Sequence, residues 1–380
     1  MLAVANHLPM TDPLPPEFPA APAGPQPTPA PASQPHQRRP RYHGKNPRRF
    51  EDKYKEHGGD DTTLAKVLAA GKTPAGTHRP IMVAEILAIL APKPGDVAVD
   101  CTLGYGGHAR EILARITPGG RLLGLDADPV ELPKTEARLR ALGFDAAIFT
   151  AQRTNFAGLP QALAAQNLAG ADVILADLGV SSMQIDDPAR GFSVKFNGPL
   201  DMRMNPQRGQ PVSAILAKLS PEALTEILRD YADEPRADQL AAALAGQTFA
   251  FTQPLVRAIR AALPHQGPTE AELTVRRVFQ ALRIAANDEF SALETWLRHL
   301  PQSLNPGGRV AVLTFHSGED RRVKKAFASG QADGTYSRIA EEVTRPTPAE
   351  QHSNPRSAPA KLRWAIRASV QPPKATDEPG

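Results

Sequence analysis

A glycine-rich turn and a later aspartate form the first pattern in this sequence that could do chemistry. Gly104, Gly106 and Gly107 lie between a short apolar run ending at Asp100 and a stretch with helical spacing. Glycines at such a turn let the backbone approach a ligand closely. Asp126 ends a second apolar run, where a carboxylate can accept hydrogen bonds from both hydroxyls of a ribose. The pattern predicts a nucleoside cofactor and leaves NAD and an adenosyl cofactor both open.

Further titratable groups follow two later apolar runs. Asp177 ends the fourth run, where it could accept a hydrogen bond from an amine or could simply cap the next element. His316 and Asp320 follow the fifth run, and such clustering suits the wall of an active site, although a lone histidine is more often structural. Cys101 lies inside the glycine loop, where a small buried residue is expected rather than a nucleophile.

A long polar stretch from Met183 to Gln210 mixes cations with Phe192 and Phe196. Cations bind phosphates, and aromatic rings stack on unpaired bases, so the stretch predicts contacts with RNA. The alternative is a loop that packs its own apolar residues on a helical domain. The cations predicted to contact RNA are Arg190, Lys195, Arg203 and, further along the chain, Arg283.

Short apolar runs alternate with helical patterns in the first part of the chain. Strand cores without polar interruptions predict a parallel sheet covered on both faces, with ligands at the carboxyl ends of its strands. Between the fourth and fifth runs the pattern is helical, with a cap at Ser220, Pro221 at the first helical position and a capping box at Thr269 and Glu272. The predicted strands are 97–100, 122–126, 146–149, 173–177, 309–315 and 361–367.

These patterns divide the chain into a sheet domain with a helical insertion. The sheet domain is predicted at 71–182 and 283–370, and the inserted helical domain, for substrate recognition, at 183–282. The segment 1–70 is rich in proline and ends in a basic cluster, so it is predicted to be a disordered tail, as is 371–380.

Composition excludes several classes of protein. Hydrophobic residues make up 41% and charged residues 22% of the 380, and no apolar run reaches the roughly 20 residues that a membrane helix needs. No secretory signal is recognisable, and a single cysteine rules out disulfides within one chain. We therefore expect a cytoplasmic protein without a metal site or a membrane partner. The net charge of +4 permits an RNA partner, and a homodimer is left open.

Six motifs occur in an order that resembles one family. The sequence is similar to the bacterial 16S ribosomal RNA (cytosine-N4)-methyltransferase H family from about His78 to Arg367. It departs from the usual family pattern at Gly318, where leucine is common, and in the run before Lys361. The motifs lie at 100–108, 177–182, 190–193, 198–204, 279–284 and 315–321.

The resemblance implies S-adenosylmethionine as the cofactor, in place of NAD. It also implies a Rossmann-like class I methyltransferase sheet with an inserted helical domain, which helps to recognise the substrate. The expected substrate is the N4 amine of a cytidine in the decoding region of 16S rRNA in the small ribosomal subunit. The residues that the resemblance places at the cofactor are Gly106, Gly107, His108, Asp126, Phe156, Asp177 and Gln184.

Methyl transfer from a sulfonium is an in-line displacement that needs no metal. The N4 lone pair of cytosine is delocalised into the ring, so the enzyme must position the amine and accept its hydrogen bonds. Asp177 is the first candidate, with His316 or Asp320 assisting. An NAD-dependent oxidoreductase and a non-catalytic RNA-binding assembly factor are the alternatives. Methylation at carbon 5 would need a nucleophilic cysteine outside the glycine loop, and the sequence has none.

Overall fold

The computed structural model of this chain describes residues 80–369, so the two predicted tails lie outside the described residues. Among these residues no helix is both long and apolar enough to span a bilayer. The helices are α1 Val83–Leu90, α2 Gly107–Ile116, α3 Glu131–Ala141, α4 Leu159–Ala165, α5 Ser182–Asp186, α6 Val212–Leu216, α7 Pro221–Ala232, α8 Ala237–Leu244, α9 Thr252–Ala262, α10 Pro268–Asn287, α11 Glu289–Ser303, α12 Ser317–Ala332 and α13 Pro348–Ser353.

The strands form one mixed sheet in the order β3-β2-β1-β4-β5-β7-β6. The first five strands are parallel, and β7 lies antiparallel between β5 and β6. The chain adds strands outward from β1 to β3 and then returns to the other side of β1, where β4 lies. Ligands of open α/β sheets bind at such a reversal. The strands are β1 Val97–Asp100, β2 Arg121–Asp126, β3 Phe149–Arg153, β4 Ala171–Asp177, β5 Leu304–Thr314, β6 Tyr336–Ile339 and β7 Lys361–Arg367.

The prediction of a third strand at 146–149 was wrong. The Asp145 carboxylate accepts hydrogen bonds from the backbone N–H groups of Ala147 and Ile148, which makes this segment a turn. The strand follows at Phe149–Arg153. The predicted parallel sheet also needs correction, because β7 runs antiparallel to both of its neighbours.

Apolar side chains cover both faces of the sheet. On one face Trp296 of α11 and Leu159 of α4 pack against the strands and are fully buried. On the other face α2 contributes Ile112, Leu113 and Ile116, whose spacing places them on one side of the helix. The sheet is therefore buried on both faces, as the uninterrupted apolar strands predicted.

Helices α6 to α10 lie between β4 and β5 in the chain and form their own apolar core. The cap predicted at Ser220 is confirmed, because its hydroxyl accepts from the N–H of Ala223. The capping box at Thr269 and Glu272 was wrong, because α10 begins at Pro268 and its N-cap residue is Gly267, two residues before Thr269. Residue 282, the predicted end of the insertion, falls inside α10, and the domain limits remain predictions.

The segment between α5 and α6 folds back closely on itself at Gly198. A Cβ at this position would overlap the carbonyl of Pro188, which is backbone and cannot move aside cheaply. We expect Gly198→Ala to destabilise the protein by about 1–3 kcal/mol in urea unfolding, the usual cost of overpacking. Gly267→Ala is the control, since a Cβ there meets nothing within 4 Å; the loss of glycine at the N-cap of α10 should cost about 0.5 kcal/mol. Equal losses in the two variants would contradict the crowding at Gly198.

Candidate functional site

Asp126 ends β2 and holds the glycine loop, residues 104–107. Its Oδ2 accepts a hydrogen bond from the N–H of Gly104 at 2.7 Å, and its Oδ1 accepts from the N–H of Asp128 at 2.8 Å. The hydroxyl of Thr135 on α3 donates to the carbonyl of Gly104 at 2.5 Å. The structure thus brings together the loop and the aspartate that the sequence singled out.

The shape of the loop depends on Gly106, whose φ of +80° lies in the left-handed region that favours glycine. A Cβ there would lie 2.9 Å from the Thr135 side chain, and a Cβ on Gly107 would lie 3.0 Å from Pro80. Position 106 therefore needs glycine, because of its φ and the nearby Thr135 side chain, and Gly107 packs tightly against Pro80.

His108 lies in the first turn of α2 and is buried. Its Nε2 lies 2.9 Å from the carbonyl oxygen of Ile81, which can only accept, so Nε2 carries the proton. Burial lowers the pKa of His108, and the ring is therefore neutral at pH 7. The other nitrogen, Nδ1, lies 3.6 Å from a carboxylate oxygen of Asp177. His108 thus lies between the glycine loop and the end of β4 and is hydrogen-bonded to Ile81, the residue before Met82.

Three carboxylates lie at the carboxyl ends of neighbouring strands: Asp126 on β2, Asp100 on β1 and Asp177 on β4. Burial raises the pKa of Asp100 and of Asp126 to about 6. Burial, with the nearby negative charge of Glu319, raises the pKa of Asp177 to about 7. Within residues 80–369 none of the three has an ion pair with arginine or lysine. Such a group of carboxylates, when ionised, favours a cation and repels a pyrophosphate.

The end of β4 is held by both neighbouring strands. The N–H of Asp177 donates to the hydroxyl of Thr102, in the loop after β1, at 2.6 Å. The N–H of Leu178 donates to the carbonyl of Leu313 on β5 at 3.0 Å. Asp177 therefore has a fixed backbone at the point where the strand order reverses, which is the position predicted for a substrate or cofactor contact.

The turn after β5 places His316 and Glu319 together. Nδ1 of His316 accepts a hydrogen bond from the N–H of Glu319 at 3.4 Å. Nε2 of His316 lies 3.2 Å from Oε1 of Glu319. Oε2 of Glu319 accepts the N–H of Phe315 at 2.8 Å. Burial would raise the pKa of Glu319, but the hydrogen bond with His316 and the charge of Arg283 lower it overall. Glu319 is thus a buried anion, and sequence reasoning did not single it out.

The next residue, Asp320, binds two cations instead. Its carboxylate binds Lys361 Nζ at 3.0 Å and Arg363 Nε at 2.6 Å, both on β7. These two cations lower the pKa of Asp320 although its partial burial opposes them. The structure does not bring Asp320 into contact with Asp177, and its catalytic role remains a prediction.

Gln184 and Phe156 meet protein groups at the edge of the site. Oε1 of Gln184 accepts the N–H of Ser181, and its Nε2 donates to Asp128, both at 2.8 Å. Asp128 is a fully buried residue that the sequence did not single out, and its position two residues after Asp126 was the available signal. Phe156 is half-buried and packs edge-on against Trp296, with 6.1 Å between ring centroids.

Three of the four cations predicted to contact RNA form ion pairs within the described residues. Arg190 binds Asp128, Arg203 binds Asp201 and Arg283 binds Glu289, at 2.7 to 2.8 Å. Lys195 is exposed. Of the two aromatic residues, Phe192 is buried in the core of the helical insertion and Phe196 is half-buried. The roles of these residues in RNA binding remain predictions.

Cys101 is buried beneath the glycine loop. Burial raises the pKa of its thiol far above the ordinary range, so the thiolate that a nucleophile needs does not form near pH 7. The geometry therefore fits the small buried residue that was expected at this place.

Comparison with known proteins gives the family. Ribosomal RNA small subunit methyltransferase H 1 of Lachnoclostridium phytofermentans is 44% identical over 344 residues, which cover 88% of this chain and 93% of that relative. Ribosomal RNA small subunit methyltransferase H 2 of Alkaliphilus metalliredigens is 45% identical over 87% of this chain and 98% of its own length. A solved SAM-dependent O-methyltransferase from Thermotoga maritima has a TM-score of 0.36 at 11% identity, covering 81% of this chain and 72% of that chain, too distant to add to this. The profile of the MraW methylase family matches residues 75–368, as the resemblance predicted, and the chain belongs to that family.

Proposed function

We propose that this protein transfers a methyl group from S-adenosylmethionine to the N4 amine of a cytidine in the 16S rRNA of the small ribosomal subunit. The observation that carries the proposal is the group of three buried carboxylates, Asp100, Asp126 and Asp177, beside the glycine loop. The names of the relatives, small subunit rRNA methyltransferases at 44–45% identity, support the same conclusion.

The residues present fit S-adenosylmethionine. Each oxygen of Asp126 accepts one backbone N–H and keeps a second lone pair for a ribose hydroxyl. Buried carboxylates whose pKa values are raised gain most from a positive ligand, and this cofactor carries a sulfonium and an ammonium. The pyrophosphate of NAD would meet the same carboxylates as a repulsive charge, which argues against the oxidoreductase alternative. When bound, the cofactor supplies an electrophilic methyl group to a nucleophile in line with it.

Asp177 is the residue that we infer accepts the hydrogen bond of the target amine. A pKa of about 7 suits a group that takes up a proton near neutral pH. Nδ1 of His108, 3.6 Å away, can share that proton because its own hydrogen lies on Nε2. The cytosine must leave its stack to reach this pocket, at a cost of a few kcal/mol.

The predicted RNA cations divide into two groups. Lys195 is exposed and is the one that we propose for a phosphate contact. Arg203 and Arg283 are held by Asp201 and Glu289, so we infer that they shape the RNA-binding segment.

The reaction is tested by incubating small ribosomal subunits or 16S rRNA with the protein and isotopically labelled S-adenosylmethionine. Mass-spectrometric mapping of the RNA is expected to find one labelled N4-methylcytidine. Label at another atom, or no turnover with an intact protein that binds both ligands, would reject the proposed reaction. Titration with NADH separates the oxidoreductase alternative, since we expect no binding.

Asp126→Ala is expected to weaken binding of S-adenosylhomocysteine by about 1–3 kcal/mol, roughly 5- to 150-fold, because charge-assisted hydrogen bonds are lost. Isothermal titration calorimetry measures the change directly. Asp238→Ala, which alters an exposed carboxylate on α8, is the matched control and should bind like the parent protein. An unchanged affinity in Asp126→Ala would remove Asp126 from the cofactor site.

A further inference from the structure

Asp128 joins three separate parts of the chain through one buried carboxylate. Its Oδ1 accepts the N–H groups of Val130 and Glu131 at 2.8 and 3.4 Å, at the beginning of α3. Its Oδ2 accepts from Nε2 of Gln184 and from Nη1 of Arg190, both at 2.8 Å. Residue Asp128 is only 1% exposed, so these contacts are shielded from water. The carboxylate therefore connects the loop after β2 to the segment that follows β4.

Arg190 continues the connection on its other side. Its Nη2 donates to the carbonyl oxygens of Arg203 and Met204, at 3.2 and 2.8 Å. The backbone carbonyl of Arg190 accepts the N–H of Met202 at 3.0 Å. With 12% of its side chain exposed, the guanidinium has its donors directed at protein groups on both sides. This arrangement holds the segment 187–204 in a closed loop.

The far end of that loop is fixed to the helical insertion. The N–H of Met204 donates to Oδ1 of Asn287 at 2.7 Å, and Nδ2 of Asn287 donates to the carbonyl of Met202 at 2.8 Å. Asn287 is the last residue of α10. Direct contacts therefore run from Asp126, through Asp128 and Arg190, to α10. The segment between them carries Lys195, the cation proposed for a phosphate contact.

We propose that Asp128 and Arg190 are positioning residues that couple binding of the cofactor to binding of RNA. A ligand on Asp126 orders the loop in which Asp128 lies two residues later, and the Asp128–Arg190 pair passes that order to the segment 187–204. Because coupling between two sites is reciprocal, bound RNA strengthens cofactor binding by the same factor. This inference rests on the proposed function, since it requires RNA as the second ligand.

Asp128→Asn and Arg190→Met test the pair. The asparagine can keep its Oδ1 on the N–H groups of α3 while its amide faces the donors of Gln184 and Arg190, so the cap survives and the link to Arg190 is lost. The matched controls are Asp238→Asn and Arg229→Met, which break an exposed ion pair of the same residue types. Arg190→Lys keeps the charge but cannot reach Asp128 and both carbonyls together, and it serves if the other variants do not fold.

The measurement is the affinity for a 16S rRNA fragment with and without S-adenosylhomocysteine. In the parent protein and the two controls we expect the analogue to tighten RNA binding about tenfold, a usual size for coupling between sites. In Asp128→Asn and Arg190→Met the ratio is expected to fall to about one, and in Arg190→Lys to lie between. A merely structural role would lower both affinities and leave the ratio unchanged, and that result overturns the proposal.

A second readout needs no RNA. S-adenosylhomocysteine is expected to protect the segment 187–210 from trypsin in the parent protein and in Asp238→Asn, and to give no protection in Asp128→Asn, which keeps every lysine and arginine of the segment. Equal protection in the parent protein and in Asp128→Asn overturns the coupling. If the parent neither binds nor methylates RNA, the proposed function fails, while the trypsin experiment still tests whether the pair orders this segment.

Discussion

Asp177→Asn is expected to remove most turnover and at the same time to stabilise the protein at pH 8. Loss of a group that accepts a proton in the transition state lowers kcat by about 10²- to 10⁴-fold. The free energy of unfolding at pH 8 is expected to rise, because the carboxylate is buried and its pKa is raised to about 7. Functional groups often carry such a cost in stability.

The sign of the stability effect follows from the raised pKa. The folded protein binds the proton of Asp177 more tightly than the unfolded chain does, so the contribution to stability is full below pH 4 and is lost as pH rises through about 7. Asparagine has no charge to bury, and we expect it to add about 1–3 kcal/mol at pH 8 and little at pH 4. Urea unfolding at the two pH values, beside a single-turnover methylation assay, measures both effects.

Asp187→Asn provides a comparison in the same loop region, since Asp187 caps a short turn rather than facing the carboxylate group. Asparagine can keep this cap, so the variant should gain no stability at pH 8. If Asp177→Asn retained the kcat of the parent, Asp177 would be a contact without a part in the proton transfer. If it lost stability at pH 8, the carboxylate would be held by a favourable partner within the protein.

Affinity for S-adenosylmethionine is expected to fall about ten-thousandfold as pH is lowered from 8 to 5. Asp100 and Asp126, with pKa values of about 6, and Asp177, at about 7, must be ionised to attract a cation. Each proton that must be released costs about tenfold in affinity per pH unit below the pKa. Calorimetric titration in two buffers of different ionisation enthalpy at pH 6.5 should detect release of protons on binding.

The direction of this pH dependence separates the two cofactor classes. A dinucleotide carries a pyrophosphate, so its affinity for the same pocket would rise as the carboxylates become protonated. Asp100→Asn removes one of the three titrating groups and should flatten the profile of S-adenosylmethionine between pH 5 and 7. A profile that stays flat in the parent protein would show that the carboxylates do not face the cofactor.

Local sequence was enough to predict that the glycine loop and the carboxylates at the strand ends lie together. Asp100, Asp126 and Asp177 each end an apolar strand, and parallel strands place their carboxyl ends at one edge of the sheet. The glycine loop needed only the types and order of its residues. These predictions depended on features within a few residues of one another, which a linear reading can detect.

Contacts between distant segments were the part that sequence could not supply. Asp128 meets Gln184 and Arg190, which are 56 and 62 residues away, and nothing in the chain near Asp128 indicates either partner. The arginines after β4 were predicted to contact phosphates. Composition alone does not show which of them form ion pairs with carboxylates in the folded protein. β6 has four residues, of which two are exposed, so its pattern is too short to identify.

Sequence also could not show whether Glu319 or Asp320 lies beside His316, because this too depends on contacts between distant segments. Adjacent carboxylates on a helix point about 100° apart, and only the packing of α12 decides which one lies beside His316. That packing depends on β7, whose Lys361 and Arg363 bind Asp320. The sequence motif contains both residues, but the position of β7 decides which groups each carboxylate contacts.

The position of β7 between β5 and β6 has a consequence for biosynthesis. During synthesis, domains fold with their amino-terminal parts first. β7 follows all the other strands in the chain, yet it lies between two of them in the sheet. Until it arrives, β5 presents an unpaired edge to any neighbouring polypeptide, and the cations that orient Asp320 are missing. A fragment that stops short of residue 361 is therefore expected to aggregate and to leave the carboxylate of Asp320 without its two partners.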